Sequence, residues 1–154
     1  MKFIVLSVAT KGTERAAAEF ERYEAGVLPT REEFVKMIAY QEELVKAGVL
    51  VGGEGLRPSS LGSRMTFGKN GKTLTKDGPF TESKEIIAGF SILQVKSRDE
   101  ALAWISRAPF PEGTTVELRQ LFTDDDFASV DPTGELREHD AKNREQAEAQ
   151  HDKS

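Results

Sequence analysis

Carboxylates cluster around one sharp turn in the middle of the chain, within the stretch Lys76–Glu85. The stretch contains the tetrapeptide Asp-Gly-Pro-Phe at residues 77–80, followed by Glu82. A carboxylate can serve as a general acid or base when it is held beside a substrate. Asp77 is therefore a candidate catalytic residue. An Asp before Gly-Pro is also a common turn former, because its carboxylate accepts backbone N–H groups, and the sequence favours this second interpretation.

A second candidate pair, Glu117 and Arg119, lies near the end of the chain's hydrophobic part. The two residues are separated by one position on a predicted strand, so their side chains share one face. Arg could hold an anionic ligand, because its guanidinium binds carboxylates and phosphates through paired hydrogen bonds. We therefore group Glu117 and Arg119 with Asp77 as candidate catalytic residues. The alternative, an ion pair on the surface or in an interface, is favoured.

Candidate ligand-binding residues are Glu54, Arg57, Tyr40 and Phe80. Glu54 and Arg57 flank a glycine-rich bend, residues 52–55, which has neither the Gly-x-Gly-x-x-Gly pattern nor a Walker lysine. We interpret the bend as a bulge or a close approach of backbones rather than a phosphate loop. Phe80 is more typical of a core anchor under the turn than of a stacking platform. Tyr40 lies on a predicted helix and could reach a cleft.

Composition excludes several classes of chemistry. The chain has no cysteine, so thiolate catalysis, disulfides and cysteine-based metal sites are excluded. Both histidines, His139 and His151, lie near the C-terminus, which leaves residues 1–123 without a side chain that ordinarily titrates near neutral pH. We expect no metal and no cofactor, and the residues leave open whether the protein is an enzyme.

Charge and hydropathy exclude further partners. The net charge is −5, and no Lys/Arg run offsets it, so we expect no direct binding to nucleic acid. The apolar run Phe3–Ala9 is too short to span a membrane and makes a poor signal peptide. We therefore expect a cytoplasmic protein with no membrane association.

The hydrophobic pattern predicts the order β, α, β, hairpin, β, α, β. Lys69-Asn70-Gly71 is a strong signal for the turn of the hairpin. The first strand is apolar on both faces and should lie centrally in its sheet. Thr30 with Glu33, and Ser97 with Glu100, have the spacing of capping boxes that begin helices. The first of these helices places an apolar stripe on one face, and we expect its Met37 to lie in the core. The stripe consists of Phe34, Met37, Ile38, Leu44 and Val45.

This order predicts an α+β fold, a ferredoxin-like sandwich. Its antiparallel sheet would carry two main helices on one face, and the hairpin would be an insertion. The other face would remain apolar, and such patches usually mark interfaces. We therefore predict a homodimer whose sheets pack face to face, with a cavity at or near the interface. We assign residues 1–123 to this domain and residues 124–154 to a charged, flexible or marginally helical tail.

The chain resembles the YCII-related superfamily, and within it the DGPF branch, whose hallmark tetrapeptide stands here at residues 77–80. The resemblance extends over residues 1 to about 122, and the segments that carry it are Glu42–Leu44, Ala47–Leu50, Gly52–Leu56, Asp77–Glu85, Gly89–Phe90, Asp99–Ala101 and Thr115–Arg119. It implies a ferredoxin-like, dimeric α+β-barrel fold. Relatives proposed to be enzymes have a His–Asp pair in the cleft, and this chain has no histidine there.

Three functional hypotheses follow. The leading one is a dimer that binds a small molecule in an inter-sheet cavity, with a regulatory role. The second is a lyase or isomerase of the YCII type, which would use Asp77 with Glu117 or Arg119. The third is an interaction module whose charged tail contacts a protein partner in transcriptional regulation, such as a sigma factor, because the resemblance implies genes beside those of alternative sigma factors.

Overall fold

The computed structural model describes residues 1–151 of the 154 in the chain. The protein is an α+β protein with antiparallel sheets and four α-helices in its described part, which confirms the predicted class. The strands are β1 (Lys2–Thr10), β2 (Leu50–Gly55), β3 (Ser63–Phe67), β4 (Thr73–Asp77), β5 (Glu85–Gln94) and β6 (Thr115–Gln120). The helices are α1 (Glu14–Glu24), α2 (Arg31–Lys46), α3 (Arg98–Ile105) and α4 (Glu135–His151). None of these helices is long and apolar enough to cross a bilayer.

Contacts divide the chain into two compact units, one over Met1–Gln120 and a second that begins at Leu121. The first unit contains every strand and helices α1 to α3. The second contains α4, within the predicted tail. The boundary predicted from the sequence, between residues 123 and 124, stays a prediction.

The main sheet has the strand order β2-β5-β1-β6, and every neighbouring pair is antiparallel. β1 therefore lies between two strands, as its continuous apolar run predicts. Leu6 pairs with Phe90 on one side and with Glu117 on the other. A register shift occurs in β1 after Ser7, and it leaves Ala88 of β5 without a β1 partner.

Helices α2 and α3 cover one face of this sheet. Phe3, Val5 and Leu93 on the sheet form one buried cluster with Leu44 of α2 and Ala101 of α3. Because side chains alternate along a strand, the intervening residues of β1 point to the opposite face. We call the first the helix-side face and the second the open face. Leu93, which is 1% exposed, lies at the centre of the core.

Side-chain caps begin the helices where the sequence predicts. The hydroxyl of Thr30 accepts the Glu33 N–H at 3.2 Å, and the Glu33 carboxylate accepts the Thr30 N–H at 2.6 Å, so this capping box is confirmed. The second box is only half formed. The Ser97 hydroxyl accepts the Glu100 N–H at 3.1 Å, but the Glu100 carboxylate accepts the N–H of Lys96 at 2.8 Å instead of that of Ser97.

The apolar stripe of α2 is only partly buried, and Met37, which the sequence places in the core, is half-buried. Leu44 is buried, whereas Phe34 is 55% exposed and Val45 is 62% exposed. Phe34 and Ile38 line a cavity between α2 and the sheet, so they face empty space instead of close-packed side chains. The helical periodicity was correct, but periodicity does not distinguish a packed face from the wall of a cavity.

Strands β3 and β4 form a separate two-stranded sheet. The loop between them contains two residues in the left-handed region, Asn70 at φ 58° and Gly71 at φ 71°. Asn-Gly tolerates this conformation better than other dipeptides, so the predicted hairpin is confirmed. The hairpin ends at Asp77, where the Asp-Gly-Pro-Phe turn leads the chain back into the main sheet.

The second unit is organised by Asp131, which precedes α4. Its carboxylate accepts the N–H groups of Leu136 and Arg137 at 3.3 and 3.0 Å, and it pairs with the Arg137 guanidinium at 3.1 Å. These hydrogen bonds hold the pKa of Asp131 below its usual range. No residue within α4 is buried, and the ion pair between Glu138 and Lys142 is one of those on its surface.

Candidate functional site

The turn at residues 77–80 is shaped by a close approach of two backbone segments. The Gly78 N–H donates to the carbonyl of Gly62 at 2.9 Å. A Cβ added to Gly78 would lie 1.7 Å from the carbonyl oxygen of Ser59, which no side chain tolerates. The peptide bond between Gly78 and Pro79 is cis. The glycine is therefore required by close approach, since its φ does not lie in the left-handed region.

Ser59 ties this turn to the end of α1. Its N–H donates to the Glu24 carboxylate at 3.0 Å, its hydroxyl donates to the second oxygen of the same carboxylate, and its hydroxyl oxygen accepts the Phe80 N–H at 3.0 Å. Ser59 is buried. Sequence reasoning missed both Ser59 and Glu24, because nothing in the local pattern links residues that lie 35 positions apart.

Asp77 lies at the end of the hairpin. Its Oδ1 accepts the Ser63 hydroxyl at 2.6 Å, and Ser63 is also its partner in the strand register. This hydrogen bond closes the two-stranded sheet at its base. Asp77 does not line the two cavities of the first unit described below. Its catalytic role stays a prediction.

Phe80 is buried beneath the turn at 7% exposure. The Arg64 guanidinium lies 3.9 Å from the centre of its ring, within the range of a cation–π contact. Arg64 is held there by a hydrogen bond to the Ser83 hydroxyl at 3.1 Å. One face of the ring is thus occupied by the protein itself, and ligand binding by Phe80 stays a prediction.

Glu117 and Arg119 lie close together on the open face. Glu117 pairs with Leu6 and Arg119 pairs with Ile4, both on the side of β1 that points away from the Phe3 and Val5 core. Their Oε1 and Nε atoms are 3.8 Å apart, and both side chains are more than half exposed. An exposed pair at this distance contributes little to stability. The Arg119 guanidinium therefore remains accessible to solvent.

Glu54 and Arg57 do not form a pair comparable to this one. Glu54 pairs with Phe90 in the sheet, so strand alternation turns its side chain toward the open face. The carbonyl of Arg57 accepts the Tyr23 hydroxyl at 3.0 Å. The two residues thus belong to different parts of the first unit, the sheet and the loop that follows it, and their ligand-binding roles stay predictions.

A cavity of about 570 Å³ lies on the helix-side face, between α2, the segment after α3 and the sheet. Small residues form its floor: Ser7, Gly53, Gly55, Gly89 and Ser91. Bulkier residues form its walls: Phe34, Met37, Ile38, Tyr40, Ile105 and Phe110. Its volume lies within the range of small-molecule sites. Sequence reasoning placed a cavity between two sheets, whereas this one is formed by a single chain on the opposite face.

Close contacts between backbones explain two of the three floor glycines, Gly53 and Gly89, whereas a Cβ on Gly55 would meet nothing within 4 Å. A Cβ on Gly53 would lie 2.6 Å from the Phe90 carbonyl oxygen, and one on Gly89 would lie 3.1 Å from the Glu54 carbonyl oxygen. β2 and β5 therefore approach each other closely here, next to a register shift between Leu50 and Gly52. The predicted bulge or close approach at the glycine-rich bend is confirmed, and it leaves an open space above the sheet.

Tyr40 is the titratable side chain that lines the wall of this cavity. Its hydroxyl donates to the Trp104 carbonyl at 2.9 Å, which joins α2 to α3. Burial raises the pKa of Tyr40 above its ordinary value. Tyr40 thus reaches the cleft, as the sequence left open, but its proton is committed to a backbone carbonyl.

The cavity is nearly uncharged. Among the described residues that line it, none is Lys, Arg or His, and Glu54 is the charged member, with its side chain turned to the other face. Hydrogen-bonding groups come from Ser7, Ser91 and Gln41, and the Ser7 hydroxyl donates its proton to the Gly89 carbonyl at 3.3 Å. Within residues 1–151, no group of three or more acidic, His or Cys side chains is arranged to hold a metal ion. The cavity is suited to an uncharged molecule.

The chain is thus a small α+β protein, and its first unit contains a cavity large enough for a small-molecule ligand. A family model of the YCII-related domain matches residues 1–124, and the chain therefore belongs to the YCII-related family. Among curated proteins, no relative matches the sequence. One similar solved structure is 5-chloro-2-hydroxyhydroquinone dehydrochlorinase (TftG) from Burkholderia phenoliruptrix AC1100, in complex with 2,5-dihydroxybenzoquinone. It is 18% identical, the match covers 81% of this chain and 98% of that one, and the TM-score is 0.35. A similarity this distant carries no argument about the site.

Proposed function

We propose that the protein binds a small, uncharged and largely apolar molecule in the helix-side cavity. The observation that carries this proposal is the composition of the cavity, which has apolar walls, a floor of glycine and serine, and no cationic lining residue. Ligand sites are typically apolar with a few polar groups that orient the ligand. The Ser91 hydroxyl and the Gln41 amide supply such groups, and the Ser7 hydroxyl, which donates to the Gly89 carbonyl, supplies an acceptor oxygen. A phosphate or carboxylate would find no positive partner there.

We further propose a homodimer built on the open face, with the ferredoxin-like sandwich and dimeric α+β-barrel arrangement expected from the sequence. The strand order β2-β5-β1-β6 supports the sandwich. Apolar residues on the two central strands support the interface: Ile4, Leu6, Phe90 and Ile92. Glu54 lies at one edge of this patch, and Glu117 with Arg119 lies at the other. A second copy would remove the patch from water.

The cavity and the proposed interface share one strand. Along β5, Gly89 and Ser91 face the cavity, while the alternating Phe90 and Ile92 face the open side. A ligand that shifts β5 would therefore act on both faces of the sheet. This arrangement supports the regulatory role expected from the sequence, in which ligand binding changes the association of the protein. Within the family, the tetrapeptide at residues 77–80 supports the DGPF branch.

A lyase or isomerase activity of the YCII type is the second candidate, and family membership supports it. In that case, Glu117 and Arg119, whose charged groups lie 3.8 Å apart, would act on a substrate at the open face. Asp77 would need to approach them from the base of the hairpin. A role as an interaction module, with an exposed α4 that contacts a regulatory protein such as a sigma factor, is a third proposal.

The cavity proposal is tested with Nile red, an uncharged dye whose fluorescence increases in apolar surroundings. Ser91→Leu places a larger side chain on the cavity floor and should weaken dye binding at least tenfold. Ser129→Leu makes the same substitution at an exposed position of the second unit and should leave binding unchanged. Equal affinity of the two variants would overturn the proposal, provided that circular dichroism shows both to be folded.

A further inference from the structure

A second cavity, of about 210 Å³, lies beside the first one in the same unit. It is bordered by β1, by α1 and by the segment between α3 and β6. Three residues line both cavities, namely Ser7, Ala88 and Phe110. Residues that face two cavities at once form the wall between them, so the two spaces are neighbouring compartments.

Phe110 is the one bulky side chain among these three shared residues. Ser7 is small, and Ala88 is the β5 residue left without a β1 partner by the register shift. Phe110 stands between Pro109 and Pro111 and is half-buried. A residue before proline is restricted to extended conformations, and each proline fixes its own φ. The backbone that carries the Phe110 ring is therefore held in place.

The second cavity has the same electrostatic character as the first. Among the described residues that line it, Glu19 is the charged one. Its carboxylate already faces the Arg15 and Arg22 guanidinium groups at 3.3 and 3.6 Å. The Tyr23 hydroxyl donates to the carbonyls of Leu56 and Arg57. These polar groups already have partners, which leaves Thr10 and Thr114 to interact with the end of an uncharged ligand.

We propose that the two cavities are parts of one binding groove and that Phe110 sets the length of the molecule that fits. The ligand class is an elongated, uncharged molecule with an apolar body, and the Phe110 ring limits how far it extends toward α1. This inference rests on the proposed function, because it assumes that the larger cavity binds a ligand.

The test uses straight-chain primary alkanols of increasing length to displace Nile red. Each methylene that enters an apolar site should strengthen binding about fourfold. In the native protein, affinity should rise with chain length and then reach a plateau when the larger cavity is filled. In Phe110→Ala, the plateau should move to chains at least two methylenes longer, and the longest alkanols should bind at least tenfold more tightly than to the native protein.

Phe34→Ala is the matched control, because Phe34 lines only the larger cavity. It should change affinity without moving the plateau. Phe110→Leu serves as a second variant if Phe110→Ala fails to fold, and it should move the plateau in the same direction. If the folded Phe110 variant reaches its plateau at the native chain length, the inference about Phe110 is overturned and the proposed function is not. If no alkanol displaces the dye from the native protein, both the proposed function and the inference about Phe110 are contradicted.

Discussion

The carbonyl oxygen of Ser59 lies so close to Gly78 that a Cβ at residue 78 would be 1.7 Å from it. The same serine accepts the Phe80 N–H through its hydroxyl and donates to Glu24 at the end of α1. The Asp-Gly-Pro-Phe turn is thus docked onto α1 through one buried residue. This relationship explains why the turn needs a glycine, and it assigns the tetrapeptide a structural part in the fold.

The first prediction concerns Gly78→Ala. The new methyl group cannot fit against the Ser59 carbonyl, so the turn must move away from α1. Overpacking of this kind costs about 1–3 kcal/mol of unfolding free energy or more. Gly12→Ala is the matched control, because a Cβ at Gly12 meets nothing within 4 Å. Urea unfolding of both variants measures the difference, and equal midpoints would show that the close approach does not matter.

The second prediction concerns Ser59→Ala. The substitution removes the hydroxyl partner of one Glu24 carboxylate oxygen and of the buried Phe80 N–H, while the Ser59 N–H still donates to the other Glu24 oxygen. Loss of a buried hydrogen-bond partner costs about 1–3 kcal/mol. Ser106→Ala, at an exposed serine, should change the unfolding free energy by less than about 0.5 kcal/mol. Nile red affinity should be unaffected in both, since neither serine lines the cavity.

The third prediction concerns the pH dependence of stability at the junction of α1 and α2. A side-chain hydrogen bond from Arg22, with a backbone hydrogen bond from Thr30, lowers the pKa of Glu33 from 4.5 to about 2. A carboxyl whose pKa is lower in the folded state contributes stability above pH 4.5 and loses that contribution as the pH falls toward 2. Stability should therefore decline over this window.

Glu33→Gln should reduce that decline, because its side chain does not titrate. Glu32→Gln is the matched control, since Glu32 neighbours Glu33 and pairs with the exposed Lys36. Unfolding measured from pH 2 to pH 6 tests the prediction. Parallel stability curves for native protein and Glu33→Gln would contradict it.

The fourth prediction concerns Asp77→Asn. The amide can still accept the Ser63 hydroxyl at the base of the hairpin, so the turn should remain intact. We expect Nile red affinity to stay within twofold of the native value, because Asp77 does not line the cavity. Unchanged affinity and stability would make a chemical role for Asp77 in ligand binding untenable. A large loss of affinity with native stability would instead support the candidate role of Asp77.

The fifth prediction concerns the proposed dimer. Ile4→Glu places a charge in the middle of the open-face patch and should convert the dimer to a monomer in light scattering. Val45→Glu is the control, because Val45 is also a β-branched residue but lies on the exposed surface of α2. A native protein that is a stable monomer would contradict the dimer proposal directly.

Local signals in the sequence predicted much of the fold. The Thr30 capping box, the Asn70-Gly71 turn and the continuous apolar run of β1 all describe neighbouring residues, and the structure confirms each of them. The pairing of Glu24 with Ser59 could not be predicted, because it joins residues far apart in sequence. Hydrophobic spacing likewise could not show that Phe34 borders a cavity, since wall residues and packed residues have the same periodicity.

The candidate site illustrates the same limit. The catalytic residues predicted from the sequence, Asp77, Glu117 and Arg119, are charged. The cavity is lined by apolar and small residues on the helix-side face of the main sheet. The glycine-rich bend was the available signal. A Cβ on Gly53 would clash with the Phe90 carbonyl oxygen, so residue 53 has no side chain. The cavity extends over the sheet at this position because no side chain fills it.

The central claim, that the helix-side cavity binds an uncharged ligand, is tested most directly by NMR titration of the ¹⁵N-labelled protein with 1-octanol. We expect saturable shifts of the amide signals of Gly53, Gly55 and Gly89, which lie on the cavity floor. The amides of Glu117 and Arg119 should shift less than those of the glycines, because β6 does not line the cavity. Shifts confined to Glu117 and Arg119, with the glycine signals unchanged, would contradict it.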